Sequence, residues 1–182
     1  SRCSVTEKLG GKEFCAYYID ALGAEFLGFM LDRCRYYGLM ANVTICRANI
    51  PTITSKNKEF VEEFQTSGTT IVTIKELDEI KHQGKENFDY EKTKLPLHLI
   101  RELEIIDDVL KKAFYKLKAG HFKRAIIVSD HGASRLAVIK ENTMDFDVDA
   151  KGTHGGRCCA YNKSLPKIET ATVEDDFYVL AG

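Results

Sequence analysis

The sequence contains no tryptophan, only three prolines and no Cys-x-x-Cys pair among its 182 residues. Its six cysteines are scattered, apart from the adjacent Cys158 and Cys159, and this spacing argues against a zinc ribbon or zinc finger. No apolar run reaches the length of a membrane span, and the first residues lack the pattern of a signal peptide. The net charge of -1 provides no overall basic field for nucleic acid. These absences predict a cytoplasmic globular protein with reduced thiols and no membrane segment.

Strand-like and helix-like segments alternate along the chain. Apolar and β-branched runs predict strands at 14–19, 42–46, 69–74 and 125–128, with further strand-like stretches at 157–161 and 177–180. Helical spacing of apolar residues predicts helices at 24–37, 58–64 and 97–118. This alternation in an undivided chain predicts one α/β domain, with a mainly parallel sheet covered by helices on both faces.

An Asp-His pair follows the strand predicted at 125–128. Ser129, Asp130, His131 and Gly132 come where this strand ends, and open α/β sheets place their ligands at that edge. Asp130 offers an oxygen ligand and His131 an imidazole, while Gly132 lets the backbone turn sharply beside a bound group. The alternative is a turn in which Asp130 caps the strand end and His131 is only exposed.

Other polar side chains follow the remaining predicted strands. Asp20 comes directly after the first strand, and its alternative role is to cap the next helix. The loop 51–55 offers three hydroxyls, which become nucleophiles only where a base or a metal activates them. Asp78 and His82 follow the third strand, and their spacing places them either one helical turn apart or close together across a loop. His154 stands between glycines, as in a ligand loop or a flexible surface loop.

Six side chains in these segments share the ability to bind a metal through oxygen or nitrogen. They are Asp20, Asp78, His82, Asp130, His131 and His154. Two borderline cations such as zinc, each held by a mixture of Asp and His, would account for the whole set.

Four motifs resemble the alkaline phosphatase superfamily, and most closely its PglZ domain. They are Tyr18-Ile19-Asp20-Ala21-Leu22-Gly23, Pro51-Thr52-Ile53-Thr54, Ser129-Asp130-His131-Gly132 and His154-Gly155-Gly156. They occur in the family's order over nearly the whole chain. The resemblance implies a PglZ-like domain over 1–182, either complete or a piece of a longer protein. It also implies an α/β three-layer sandwich with a mainly parallel central sheet, as in alkaline phosphatase.

The same resemblance implies a site with two metal ions, for which Zn2+ is expected and Mn2+ or Mg2+ are alternatives. The residues that match the family's ligands for one metal are Asp20, Thr54, Asp130 and His131. Those that match the ligands for the other are Asp78, His82 and His154. Thr54 rather than Thr52 matches the attacking threonine of related nucleotide phosphodiesterases, so Thr54 is the expected nucleophile.

Three further residues are candidates for contacts to the nonbridging oxygens of a phosphate ester. Asn57 and Arg157 are the preferred candidates, ahead of Lys56. The guanidinium of Arg157 has the forked donors that suit phosphate, although a surface ion pair is the alternative for this residue.

The function implied is that of a metal-dependent phosphatase or nucleotide phosphodiesterase. Its partners would be a phosphate-ester or nucleotide substrate and proteins of a bacterial phage-defence or signalling system. The alternative is a PglZ module with weak or no catalysis that binds proteins in a larger assembly. A sulfatase is not expected, because the loop 51–54 lacks the Cys/Ser-x-Pro-x-Arg motif.

Overall fold

The computed structural model describes residues 9, 11–45, 48–57, 59–81, 97–132, 158–161, 171–174 and 176–180. The first half of the described chain contains β1 Phe14–Ile19, a 3-10 turn Ala24–Phe26, α1 Leu27–Tyr36, α2 Thr54–Asn57, α3 Glu59–Thr66 and β2 Thr70–Ile74. The second half contains α4 Glu76–Lys81, α5 Leu97–Lys118, β3 Arg124–Val128, β4 Cys158–Ala160, β5 Ala171–Glu174 and β6 Phe177–Leu180.

A parallel sheet with the strand order β2-β1-β3 forms the centre of the core. Cys15 of β1 lies opposite Thr70 of β2 and opposite Ala125 of β3, so the carboxyl ends of all three strands meet at one edge. Every residue of β1 after Phe14 is buried. A strand covered on both faces is apolar along its whole length, which explains the continuous apolar run in this part of the sequence.

The two faces of β1 contact different helices. Tyr17 packs with Val109 of α5 on one face, whereas Tyr18 packs with Phe64 of α3 on the other. Helices therefore lie against a parallel sheet, and the predicted α/β class is confirmed.

Helix α5 is the long helix of the described chain, and α1 packs across it. Phe26 and Ile106 belong to one apolar cluster at this contact. Nε of Arg33 donates to Oδ1 of Asp107 at 2.6 Å, and the hydroxyl of Tyr37 lies 3.1 Å from the same oxygen. Within the described residues, no helix is long and apolar enough to cross a membrane.

A second, antiparallel sheet has the strand order β4-β6-β5. β4 and β6 lie within the strand-like stretches predicted at 157–161 and 177–180, whereas β5 was not predicted. Tyr178 of β6 is buried and contacts the ring of Tyr161, with 5.0 Å between the ring centroids.

The strand predicted at 42–46 is wrong for the residues that the structure describes. Residues 41–45 have no regular secondary structure and are exposed, and Cys46 lies outside the described residues. Ile45 is 83% exposed. A β-branched run favours a strand only where it can pair and bury one face, and the described part of this segment does neither.

Candidate metal centre

Asp20 and Asp130 come together because they follow adjacent parallel strands at equivalent positions. Tyr18 of β1 lies opposite Val128 of β3, so the residues two places further along both leave the sheet at its carboxyl edge. Asp20 is 8% exposed and Asp130 is 5% exposed. The fold therefore places two carboxylates side by side in a largely buried position.

The loops that carry these carboxylates contact each other at two glycines, Gly23 and Gly132. A Cβ atom on Gly132 would lie 2.8 Å from the Cα atom of Gly23, which is closer than real contacts allow. Gly132 is therefore required by the close approach of two backbones, rather than by the sharp turn that the sequence suggested. The neighbouring Ala21 is buried and has a φ of 59°, a left-handed conformation that is uncommon for a residue with a Cβ.

Thr54, the first residue of α2, adds a hydroxyl to the two carboxylates. Its Oγ1 lies 3.1 Å from Oδ1 of Asp20 and 3.1 Å from Nε2 of His131. The hydroxyl has one proton, so it can donate to only one of these two atoms at a time. Thr52 and Ser55, the other hydroxyl residues of this loop, are exposed.

Asn57 has a different role from the predicted contact with substrate. Its side chain is 1% exposed, and its Oδ1 accepts a hydrogen bond from the backbone N–H of Asn49 at 2.7 Å. Its Nδ2 donates to the carbonyl oxygens of Asn49 at 3.2 Å and of Ile53 at 3.1 Å. The amide of Asn57 is thus used to hold the loop that delivers Thr54, and its burial leaves it no access to a substrate.

Hydrogen bonds within the 129–132 turn set the orientation of His131. Its Nδ1 lies 3.2 Å from the carbonyl oxygen of Gly132, which can only accept. Nδ1 therefore carries a proton, and the other ring nitrogen, Nε2, faces Asp20, Asp130 and Thr54. The backbone N–H of His131 donates to Oδ1 of Asp130 at 2.9 Å, while the hydroxyl of Ser129 donates to the carbonyl of His131 at 2.8 Å.

The result is a cluster with more acceptors than protons. One ligand atom from each of Asp20, Asp130 and His131 lies within 4.8 Å of the others. Nε2 of His131 is 3.7 Å from Oδ1 of Asp20 and 3.4 Å from Oδ2 of Asp130. Within the described residues, that buried Oδ2 accepts no hydrogen bond of good geometry. Burial raises the pKa of Asp20, and the negative charges of Asp130 and Asp78 raise it further.

This donor set fits a divalent cation. Two carboxylates and an imidazole nitrogen match the mixed oxygen and nitrogen ligands that zinc accepts, and they are also compatible with manganese. A cation would satisfy the buried oxygen of Asp130 and relieve the repulsion between the carboxylates. Asp20, Asp130 and His131 thus form a group that could hold a metal ion.

The second predicted metal site is described only through Asp78. This residue is half-buried in α4, where its charge acts on Asp20, but its side chain is not part of the three-residue cluster. The other two proposed ligands, His82 and His154, lie outside the described residues, as does Arg157.

Tyr18 is a residue near the centre that the sequence analysis did not single out. Its side chain is 4% exposed. Burial raises the pKa of its phenol, and the nearby charges of Asp130 and Asp20 raise it further. Its position two residues before Asp20 could have indicated this, because residues i and i+2 of an extended chain point to the same side.

No family model matches the chain, and no curated protein or solved structure is detectably similar to it. The resemblance to PglZ domains therefore remains a prediction based on the four sequence motifs.

Proposed function

We propose that this protein is a metal-dependent phosphoesterase of the PglZ type, a phosphatase or nucleotide phosphodiesterase, with Thr54 as its nucleophile. One observation carries the proposal: the Thr54 hydroxyl lies 3.1 Å from both a carboxylate oxygen and an imidazole nitrogen of the metal-ligand group. A hydroxyl that only ordered its loop would not need to face two of the converging ligand atoms. The proposal includes the three-layer fold of alkaline phosphatase and a role in a bacterial defence or signalling system.

Asp20, Asp130 and His131 are the residues that would hold the cation. When bound, a divalent ion supplies positive charge that lowers the pKa of an adjacent hydroxyl and neutralises phosphate oxygens. Zn2+ is the expected ion, with Mn2+ or Mg2+ as alternatives.

The chain's own residues supply the covalent step and the proton transfer. Oγ1 of Thr54 forms a bond to phosphorus while its proton passes to a carboxylate oxygen of Asp20, and the ester bond to the leaving alcohol breaks. The alcohol leaves with that proton. Water then cleaves the phosphothreonine, which restores the Thr54 hydroxyl and releases the phosphate product.

The loop before α2 keeps the nucleophile in place. Backbone groups of Asn49, Pro51 and Ile53 converge on the buried amide of Asn57, which fixes this loop relative to α2. A nucleophile held near its attack position avoids much of the entropy cost of reaching it.

The proposal is tested by assaying bis(p-nitrophenyl) phosphate and p-nitrophenyl phosphate with Zn2+, Mn2+ or Mg2+. Thr54→Ala should lower kcat by at least about 1000-fold, which corresponds to about 4 kcal/mol in the barrier. Thr54→Ser should keep partial activity because it preserves the attacking hydroxyl. Thr52→Ala is the matched control: it removes an exposed hydroxyl from the same loop and should change kcat little.

Two outcomes would contradict the proposal. Near-normal turnover by Thr54→Ala, together with an inactive Asp130→Ala, would show that Thr54 is not the nucleophile. If the wild-type protein binds the metal but hydrolyses neither ester, the result would favour the alternative of a PglZ module that binds protein partners.

A further inference from the structure

The hydroxyl of Tyr18 is buried at the base of the metal-ligand cluster. Tyr18 lies two residues before Asp20 on β1, and it is opposite Val128, which lies two residues before Asp130 on β3. Its ring is fixed from the other side by Phe64 of α3. The phenol therefore lies beneath the two carboxylates, and neither its ring nor its oxygen is open to solvent.

Tyr18 has a hydroxyl proton that it can donate to this cluster. The Thr54 hydroxyl also has a single proton, and its Oγ1 lies 3.1 Å from Oδ1 of Asp20 and 3.1 Å from Nε2 of His131. The phenol oxygen is buried, and Tyr18 lies in the sheet directly before the two strand ends that carry Asp20 and Asp130. A neutral phenol next to a carboxylate acts as a hydrogen-bond donor.

The two carboxylate oxygens of Asp130 differ in their hydrogen bonding. Its Oδ1 accepts from the backbone N–H of His131 at 2.9 Å. Its Oδ2 is fully buried, lies 3.4 Å from Nε2 of His131, and has no hydrogen bond of good geometry within the described residues. A carboxylate oxygen has two lone pairs, so Oδ2 can accept from a phenol and still face a cation.

We propose that Tyr18 is a positioning residue of the metal centre, whose phenol donates to the buried carboxylate of Asp130 and holds Oδ2 toward Asp20 and His131. This inference rests on the proposed metal centre, but not on the phosphoesterase reaction. Outer partners of this kind typically change metal affinity by about 10- to 100-fold when they are removed.

The chain offers a matched pair of variants for the test. Tyr18→Phe removes the phenol oxygen and leaves the ring that packs on α3. Tyr17→Phe makes the same change at the next residue, whose buried hydroxyl has no hydrogen-bond partner among the described residues. Tyr17 lies on the opposite face of β1, against α5, so its hydroxyl is remote from the carboxylates.

The experiment is a calorimetric titration of wild-type protein, Tyr18→Phe and Tyr17→Phe with Zn2+. Tyr18→Phe should weaken Zn2+ binding by about 10- to 100-fold, whereas Tyr17→Phe should bind as the wild type does. The urea midpoints of the metal-free proteins should show that both variants remain folded. If the two hydroxyls had only structural roles, both variants would have lower urea midpoints than the wild type. The ratio of the Zn2+ affinities of the two variants would then be near one.

Three results would overturn the inference: wild-type Zn2+ affinity in Tyr18→Phe, an equal loss in Tyr17→Phe, or no Zn2+ binding by the wild-type protein. The titration measures binding and needs no turnover. A failure of the inference about Tyr18 can therefore be distinguished from a failure of the proposed phosphoesterase reaction. A protein whose Zn2+ affinity depends on Tyr18 but that hydrolyses no phosphate ester would contradict the proposed reaction and leave the role of Tyr18 intact.

Discussion

At the amino edge of the parallel sheet, the turns that lead into β1, β2 and β3 pair their polar groups locally. The backbone N–H of Gly11 donates to Oγ1 of Thr69 at 2.7 Å, and the hydroxyl of Ser67 lies 2.9 Å from the same atom. The backbone N–H of Lys123 donates to the carbonyl of Glu13 at 2.9 Å, while their side chains form an ion pair at 2.7 Å. Donors and acceptors match at this edge, and opposite charges meet.

The carboxyl edge of the same three strands lacks this match. Two carboxylates and an imidazole nitrogen converge there, and Ala21 adopts a left-handed backbone conformation nearby. One buried oxygen of Asp130 lacks a good hydrogen bond within the described chain. The polar groups of the amino edge pair with one another, whereas the carboxyl edge gathers a group that could hold a metal ion. Such local inconsistencies are expected at functional sites rather than in the scaffold.

The largest effect should come from breaking the loop that brings Thr54 to the carboxyl edge. Asn57→Ala would remove the buried amide that accepts from the backbone N–H of Asn49 and donates to the carbonyls of Asn49 and Ile53. We expect a loss of about 3 kcal/mol in the free energy of unfolding, measured with urea. The control is Asn49→Ala, whose exposed side chain makes a single hydrogen bond to a carbonyl and should cost under about 1 kcal/mol. Equal losses would show that the buried amide does not hold the loop.

A smaller effect should follow from separating the two loops that touch at the carboxyl edge. Gly132→Ala places a methyl group 2.8 Å from the Cα of Gly23, which should cost about 2 kcal/mol of stability because backbone must move. Zinc affinity should also fall, since the turn carries both Asp130 and His131. Gly28→Ala is the control: its new methyl would meet nothing within 4 Å on helix α1, and it should stabilise the protein by up to about 1 kcal/mol. A neutral Gly132→Ala would contradict the close contact of the two loops.

The smallest effect should be on the pH dependence of stability in the metal-free protein. We expect the carboxyl edge of the sheet to cause this dependence, and the amino edge not to. The pKa of Asp20 is raised in the folded state, so the folded protein binds more protons than the unfolded chain just above the ordinary pKa of 3.8. Stability from this group is therefore complete below that pH and decreases as the pH rises through the raised value. Metal-free Asp20→Asn should be more stable than the wild type at pH 7, and this advantage should disappear in acid.

The control for this pH dependence lies at the amino edge. Glu13→Gln removes an exposed carboxylate whose ion pair should contribute no more than about 0.5 kcal/mol. Urea unfolding of both variants between pH 3 and pH 8 tests the difference between the edges. Added Zn2+ should reverse the order at pH 7, because only the wild type keeps all three ligands. An Asp20→Asn variant that is less stable than the wild type without metal would show that the carboxylates do not repel each other.

The sequence predicts much of the central fold because the spacing of its apolar residues indicates which positions of each strand and helix are buried. The continuous apolar run of β1 and the helical spacing of α5 were both predicted, and α5 has the predicted bounds, Leu97–Lys118. Local strand propensity did not predict the strands correctly where tertiary contacts determine whether a strand forms. The β-branched residues after Asn42 pair with nothing in the described chain, whereas β5 forms because Val173 pairs with Tyr178 of β6.

The candidate site was predictable only as far as strand order fixes it. Asp20 and Asp130 follow parallel strands, so their meeting follows from the sheet alone. The position of Thr54 at the site depends on a loop whose conformation is set by the buried amide of Asn57. No spacing in the sequence reveals the contacts between this amide and the loop backbone. A polar residue close to Thr54 resembles a substrate contact in sequence, whereas the burial of Asn57 in the structure favours a role in holding the loop.

The central position of β1 has a kinetic consequence for the site. Cys15 pairs with Thr70 and Ala125, which lie far along the chain, so both neighbours of β1 must be brought to it by closing long segments. Closing such segments costs entropy before any pairing compensates for it, and topologies rich in distant contacts fold slowly. Asp20 and Asp130 can meet only after the pairing of β1 with β3 is complete. The metal-ligand group should consequently be absent from early folding intermediates, and a cation would bind at the end of folding rather than guide it.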